Sequence, residues 1–169
     1  YRLGLYFDDK RALQLAELLL VRESQLVEAG GWTDSHKYAG EALVGWCHGS
    51  AGISLALSKM DRLCASNPTL QKYAAVAAKN TISNGQYSSL CLCHGYFGNI
   101  ISLSNSNLNS MNLDNWAKNA YEQLINDGFE SLDIAQSLGI GMMTGLAGAG
   151  YYLLSKTTRN IDQDFMTLS

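Results

Sequence analysis

Twice in this chain a Cys-His-Gly triplet opens a Gly-x-x-Gly step, at Cys47-His48-Gly49 to Gly52 and at Cys93-His94-Gly95 to Gly98, and Gly145 to Gly148 repeats the step. The steps lie 46 and then 50 residues apart. A period of that size holds about two helices and two loops at usual helix lengths, so each repeat is read as a helical hairpin. Equivalent positions of adjacent hairpins come to the same end of a bundle. The two Cys-His pairs then converge, and paired thiols and imidazoles are the donors that a transition metal takes.

At 169 residues the length suits one domain, and 47% hydrophobic content supplies a core. The formal charge is −3 and the pI about 5.5, and no Lys/Arg cluster interleaves with aromatics, which argues against a nucleic-acid partner. Four cysteines (Cys47, Cys64, Cys91, Cys93) occur without a signal peptide, and the chain starts at Tyr1 rather than Met. It therefore reads as a cytoplasmic fragment with reduced thiols. The run from Ile134 to Ser155 carries no charge and imitates a membrane span. Gly139, Gly141, Gly145, Gly148 and Gly150 interrupt it, and its second half aligns with the glycine repeat, so a buried loop and inner helix are expected and no membrane span.

Arg11 to Glu28 reads as an amphipathic helix with Leu13, Ala16, Leu20 and Val27 on one stripe and Gln14, Arg22 and Gln25 opposite. Asn67 is an N-cap with Pro68 at the first helical position, and Tyr73 to Ala78 continues that helix. Asp114 to Asp127 is a third, with Leu113, Trp116, Ala120 and Leu124 on one face, ending at Gly128. These three have polar faces. By contrast Ile53 to Leu57, Ile100 to Leu103 and Ala149 to Leu154 are apolar almost all round, as helices buried on every side should be. Outer and inner helices alternate, strand signals are absent, and the expected class is all-α. The expected architecture is a partial α/α toroid, half of an α/α barrel, built from three outer-inner hairpins. Its inner helices are placed at about 49–64, 95–104 and 145–156. Half a ring exposes inner-helix surface, which implies further chain, a partner or a distorted closure.

Three segments carry a specific resemblance: Gly45-Trp46-Cys47-His48-Gly49-Ser50-Ala51-Gly52-Ile53, Leu92-Cys93-His94-Gly95-Tyr96-Phe97-Gly98-Asn99, and Gly141-Met142-Met143-Thr144-Gly145-Leu146-Ala147-Gly148-Ala149-Gly150-Tyr151. The chain resembles the lanthionine synthetase C-like cyclase family from about Gly30 onward. Its tail, Phe165-Met166-Thr167-Leu168, is similar to the C-terminus of class II, bifunctional lanthipeptide synthetases. Those proteins are far longer, so the resemblance implies that residues 1–169 are the C-terminal part of a cyclase domain, with a dehydratase region upstream, in the bacterial cytoplasm.

The resemblance implies one Zn²⁺ held by Cys47, Cys93 and His94. Two thiolates and an imidazole leave a fourth position open for a substrate thiol, as a Michael-type addition of peptide cysteine to dehydroalanine or dehydrobutyrine requires. The implied partner is a dehydrated precursor peptide. Residue types alone equally permit a closed structural zinc site of Cys47, His48, Cys93 and His94, although neighbours at a helix start project about 100° apart and cannot easily face one ion.

The reaction also needs a general acid near neutral pKa. The family's histidine for this step belongs to a segment before Tyr1, which leaves His48 as the local candidate, with a role supporting its neighbouring ligand as the plainer alternative. His36 reads as a loop residue, and Leu43 stands where some cyclases carry a basic side chain. Trp46 is a candidate pocket wall or a buried packing residue. Asn99 is expected to satisfy backbone groups at its own helix start. Cys91, two residues before Cys93, reads as a core thiol with an alternative ligand role, Cys64 as a core thiol, and Met142 and Met143 as gap fillers. Competing functions are a related protein that adds glutathione to dehydroamino acids and a non-catalytic toroid module stapled by structural zinc. A glycosidase toroid needs paired carboxylates facing the hole, and the acidic residues here sit mostly on outer helices.

Overall fold

Capping chemistry sets several of the helix boundaries. The computed structural model describes residues 2–25, 44–63, 67–85, 89–106, 113–128 and 139–157. Helix α1 (Arg2–Tyr6) folds back on α2 (Lys10–Gln25), where Gly4 lies against Leu13. Asp9 caps α2: its Oδ1 accepts from the amides of Arg11 and Ala12 at 2.9 and 3.2 Å. The last residues of the expected first helix, 26–28, lie outside the described residues. Helix α3 (Ser50–Leu63) is followed by α4 (Pro68–Asn84). Asn67 caps α4 through Oδ1, which accepts from Thr69 N at 2.9 Å, and Pro68 opens the first turn. Helices α5 (Tyr96–Ser104), α6 (Leu113–Asp127) and α7 (Leu146–Thr157) complete the chain. Helix α6 stops at Gly128, whose φ of 59° is the left-handed conformation of a helix-ending glycine.

The described residues hold no strand; β structure among them is confined to an isolated antiparallel bridge between Val44 and Gly49. The fold is all-α, a partial α/α toroid. Inner helices α3, α5 and α7 each begin just after a glycine-step loop, while α4 and α6 bury one face each. Helix α3 packs on both α4 and α5, and α5 on α6. The core centres on α5, where every residue from Tyr96 to Leu103 is buried. Phe97, Ile100 and Ile101 meet Leu90 and Leu92 from the preceding loop, Trp116 and Ala120 from α6, and Ala149 and Tyr152 from α7. The rings of Phe97 and Tyr152 stack at 4.3 Å, clamping α7 to α5, a contact type that adds about 0.5–1.5 kcal/mol beyond its area.

Two readings of the inner helices need correction. In helix α3 the apolar stretch Ile53 to Leu57 itself buries a hydroxyl, Ser54, and beyond that stretch Ser50, Ser58 and Asp61 are buried as well. Asp61 accepts from the amide of Asn67 at 2.7 Å and from Gln71 Nε2 at 3.2 Å, so a buried carboxylate organises the turn into α4. Helix α7 buries only Gly148, Ala149 and Tyr152, and leaves Leu146 and Leu154 exposed at 40% and 54%. It is an edge helix whose apolar residues face two ways, one set inward and one outward. No helix among the described residues is long and apolar enough to cross a membrane.

Candidate metal centre

The three glycine-step loops are built alike. In the second, Tyr96 N donates to Ser89 O at 2.9 Å; in the third, the equivalent Leu146 N donates to Gly139 O at 2.8 Å. The second glycine of each step is required by main-chain contact. A Cβ on Gly52, Gly98 or Gly148 would overlap the carbonyl oxygen of Trp46, Leu92 or Met142 respectively. Each loop therefore lies flat on the first turn of its own inner helix.

The loops are also joined to one another through equivalent positions. Cys47 N donates to Cys93 O at 3.1 Å, and Cys93 N donates to Met143 O at 2.8 Å. This ladder brings the ligand-bearing positions of separate repeats side by side. Cys47 Sγ, Cys93 Sγ and a ring nitrogen of His94 all lie within 4.8 Å of one another, with Cys47 exposed and the other two partly buried. Cys93 Sγ donates to Cys47 Sγ at 2.7 Å. Gly45 makes room on the other side, since a Cβ there would come within 3.1 Å of His94 Cα and Cβ.

His48 stands outside this group of three, with its Nδ1 2.8 Å from Cys47 Sγ. It touches a candidate ligand rather than sharing its target. Trp46 is partly buried and packs against the α5-centred core. Cys91 is fully buried and is not part of the group. Met143 packs against the same core, while Met142 is exposed at 37%, so only one of the two fills a gap. Asn99 does not serve its own helix start: its Nδ2 donates to Gly85 O at 3.1 Å, because the fourth residue of α5 faces the end of α4. His36, Leu43 and Cys64 lie outside the described residues.

Sequence reasoning passed over a buried network that fixes the first loop. Asn80 Nδ2 donates to Ser50 Oγ at 3.1 Å. Thr81 Oγ1 donates to Ala77 O at 3.0 Å and accepts from the Ser50 hydroxyl at 2.9 Å. Ser50, the first residue of α3 and three positions past Cys47, is thus anchored to α4. Its signal was present: Ala74, Ala77, Ala78 and Thr81 follow helical spacing on one buried face.

The electrostatics require a cation if both thiols are to ionise. The Cys93 thiol is pushed up to about 12, by burial first, then by its bond to Cys47 and by the charges of Cys47 and Cys91. Alone, Cys93 keeps its proton. A divalent cation reverses that preference by supplying the opposite charge, and two sulfurs with one imidazole are a donor set that zinc accepts.

Comparison with known proteins agrees with the loop architecture. The sequence model described as lanthionine synthetase C-like protein matches residues 2–167. A similar protein is the lacticin 481/lactococcin biosynthesis protein LcnDR2 of Lactococcus lactis subsp. lactis, 28% identical over 141 residues, which covers 73% of this chain and 15% of that protein. The chain thus spans about 15% of the length of the curated relative it matches. A match running through all three glycine-step loops and every helix of the partial toroid makes this chain a member of the lanthionine synthetase C-like family.

Proposed function

We propose that this chain is the zinc-binding C-terminal part of a lanthionine cyclase domain from a class II lanthipeptide synthetase. It acts on a dehydrated precursor peptide in the bacterial cytoplasm, together with the remaining upstream part of the synthetase. The observation that carries the reading is the meeting of Cys47, Cys93 and His94 at the joint between two repeats, with partial exposure. Bound there, zinc supplies a Lewis acid that makes a substrate thiol acidic and keeps it nucleophilic at neutral pH.

The chain's own residues have separable roles. Cys47, Cys93 and His94 would hold the ion, the two thiolates would balance its charge, and a set of three protein ligands would leave it able to take a peptide cysteine. His48 hydrogen-bonds to the Cys47 sulfur and orients it. Trp46, beside Cys47 and half-buried, forms a wall of the substrate pocket. In the reaction the peptide sulfur bonds to the β-carbon of the dehydroamino acid, the C=C electron pair moves toward the α-carbon, and that carbon takes a proton. His48 is the imidazole outside the ligand set among the described residues, and is the candidate of this chain for delivering the proton.

The test combines metal content with thiol counting. Zinc stoichiometry is expected to collapse in Cys47→Ala and Cys93→Ala and to persist in His48→Ala. A synthetase containing this segment should consume the free thiols of a dehydrated precursor, read by alkylation and mass spectrometry, and Cys93→Ala should abolish that consumption. Unchanged zinc in either cysteine variant removes that residue from the site. Zinc retained with thiols untouched favours a purely structural ion.

A further inference from the structure

The third glycine-step loop presents Met143 and Thr144 where the first two present Cys-His, yet it is joined to them by the same ladder. We propose that this loop is the positioning element for Cys93, acting through the Met143 carbonyl, whose place beside Cys93 depends on the space Gly148 leaves for the neighbouring main chain; the inference rests on the zinc reading above.

Two independent contacts carry it. The Cys93 peptide is bound on both sides, its amide donating to Met143 O at 2.8 Å and its carbonyl accepting from Cys47 N at 3.1 Å. The Met143 contact is the shorter, and it is the one through which loop three reaches the ligand. Gly148 is then pressed between loops two and three. A Cβ on it would overlap the carbonyl oxygen of Met142 and come within 3.0 Å of Leu92 Cγ. Met142 precedes the anchoring carbonyl, and Leu92 precedes Cys93. A methyl at this one point therefore displaces the main chain next to Met143 and presses on the side chain next to Cys93. The side chain of Cys93 points to Cys47 across the joint, so a displacement of its backbone is delivered directly to the sulfur. Gly150, two residues along the same helix, has nothing within 4 Å of an added Cβ and shares none of this.

The experiment compares Gly148→Ala with Gly150→Ala, and adds an ester in place of the Met143–Thr144 amide, which weakens the Met143 carbonyl as an acceptor and keeps every side chain. Circular dichroism reports folding. Zinc affinity and the cobalt(II) thiolate charge-transfer band, measured with the metal alone, report the ligands. Gly148→Ala and the ester are each expected to lower zinc affinity about 10–100-fold, the range for losing a group that orients a ligand. The cobalt band should fall from the intensity of two thiolates toward that of one, while Gly150→Ala keeps both. A folded Gly148→Ala chain with parental affinity and spectrum overturns the proposal. If that variant does not fold, the ester decides, and parental affinity there overturns it equally. If the parent takes up no metal, the zinc reading fails on its own. The positioning role is then read from the Cys47–Cys93 disulfide equilibrium in a glutathione buffer, which Gly148→Ala or the ester should shift toward the dithiol. An equilibrium equal to the parent's overturns it.

Discussion

At Gly98 the hydrogen that stands in place of a side chain faces the carbonyl of Leu92, so an added methyl has no room unless main chain moves. Gly98→Ala is expected to cost about 1–3 kcal/mol, as overpacking does. Gly150→Ala meets open space and should add about 0.5–1 kcal/mol through helix propensity. Urea midpoints measure both, and equal midpoints would mean that the loop does not lie on its helix. Tyr152 offers a pH test. Its hydroxyl is buried and has no hydrogen-bond partner among the described residues, and burial first, then the charge of Asp114, raises its pKa from 10.0 to about 12. The unfolded chain therefore releases this proton more readily, so the contribution is intact below pH 10 and is lost as pH rises from 10 toward 12. Tyr152→Phe should melt at or slightly above the parent's temperature at pH 7, because a buried hydroxyl without a partner is removed. Its melting temperature should also fall less steeply between pH 10 and 12, and a slope equal to the parent's would assign the alkaline loss elsewhere. The meeting of Cys47, Cys93 and His94 was legible because their chemistry is rare and their spacing repeats. Asn99 and the Met143 carbonyl were not, since one reaches another helix and the other belongs to the backbone, which every residue shares.

Among the helices, the turn from α3 to α4 concentrates the polar cost of folding in Asp61, a carboxylate only 5% exposed. Asp61→Ala leaves the Asn67 amide without its acceptor and should cost about 1–3 kcal/mol. Asn67→Ala, at a more exposed cap, should cost about 1 kcal/mol. Thermal or urea unfolding of the two variants orders them, and an inverted order would make the cap rather than the buried acid the organiser of the turn. The start of α4 and the end of α6 could be read from Asn67-Pro68 and Gly128 because capping is local. The character of the inner helices could not. Hydropathy averages around a helix, and it separated neither α5, enclosed up to its last residue, from the half-covered α7, nor the serine line of α3 from an apolar one.

For the whole molecule, the 46- and 50-residue spacing was enough to lay out hairpins, because a repeat that cannot bury its own face must stack on the next. What spacing left open is which faces are covered. Helix α2 exposes Leu15, Leu18 and Leu19 at 57%, 66% and 57%. Leu18→Gln is accordingly expected to shift the unfolding free energy of this chain by less than about 0.5 kcal/mol. A loss of about 2 kcal/mol or more, the size for a buried leucine, would show that the face is covered in solution. The ladder that joins the loops has a different consequence. Its rungs are amides and carbonyls, blind to what each residue carries outward, so positions 47, 93 and 143 behave as interchangeable sockets on a common rail. The rail accepts a thiol in two sockets and a thioether in the third without altering its own bonding. New chemistry can therefore be plugged in at such a joint one side chain at a time, leaving the frame unchanged.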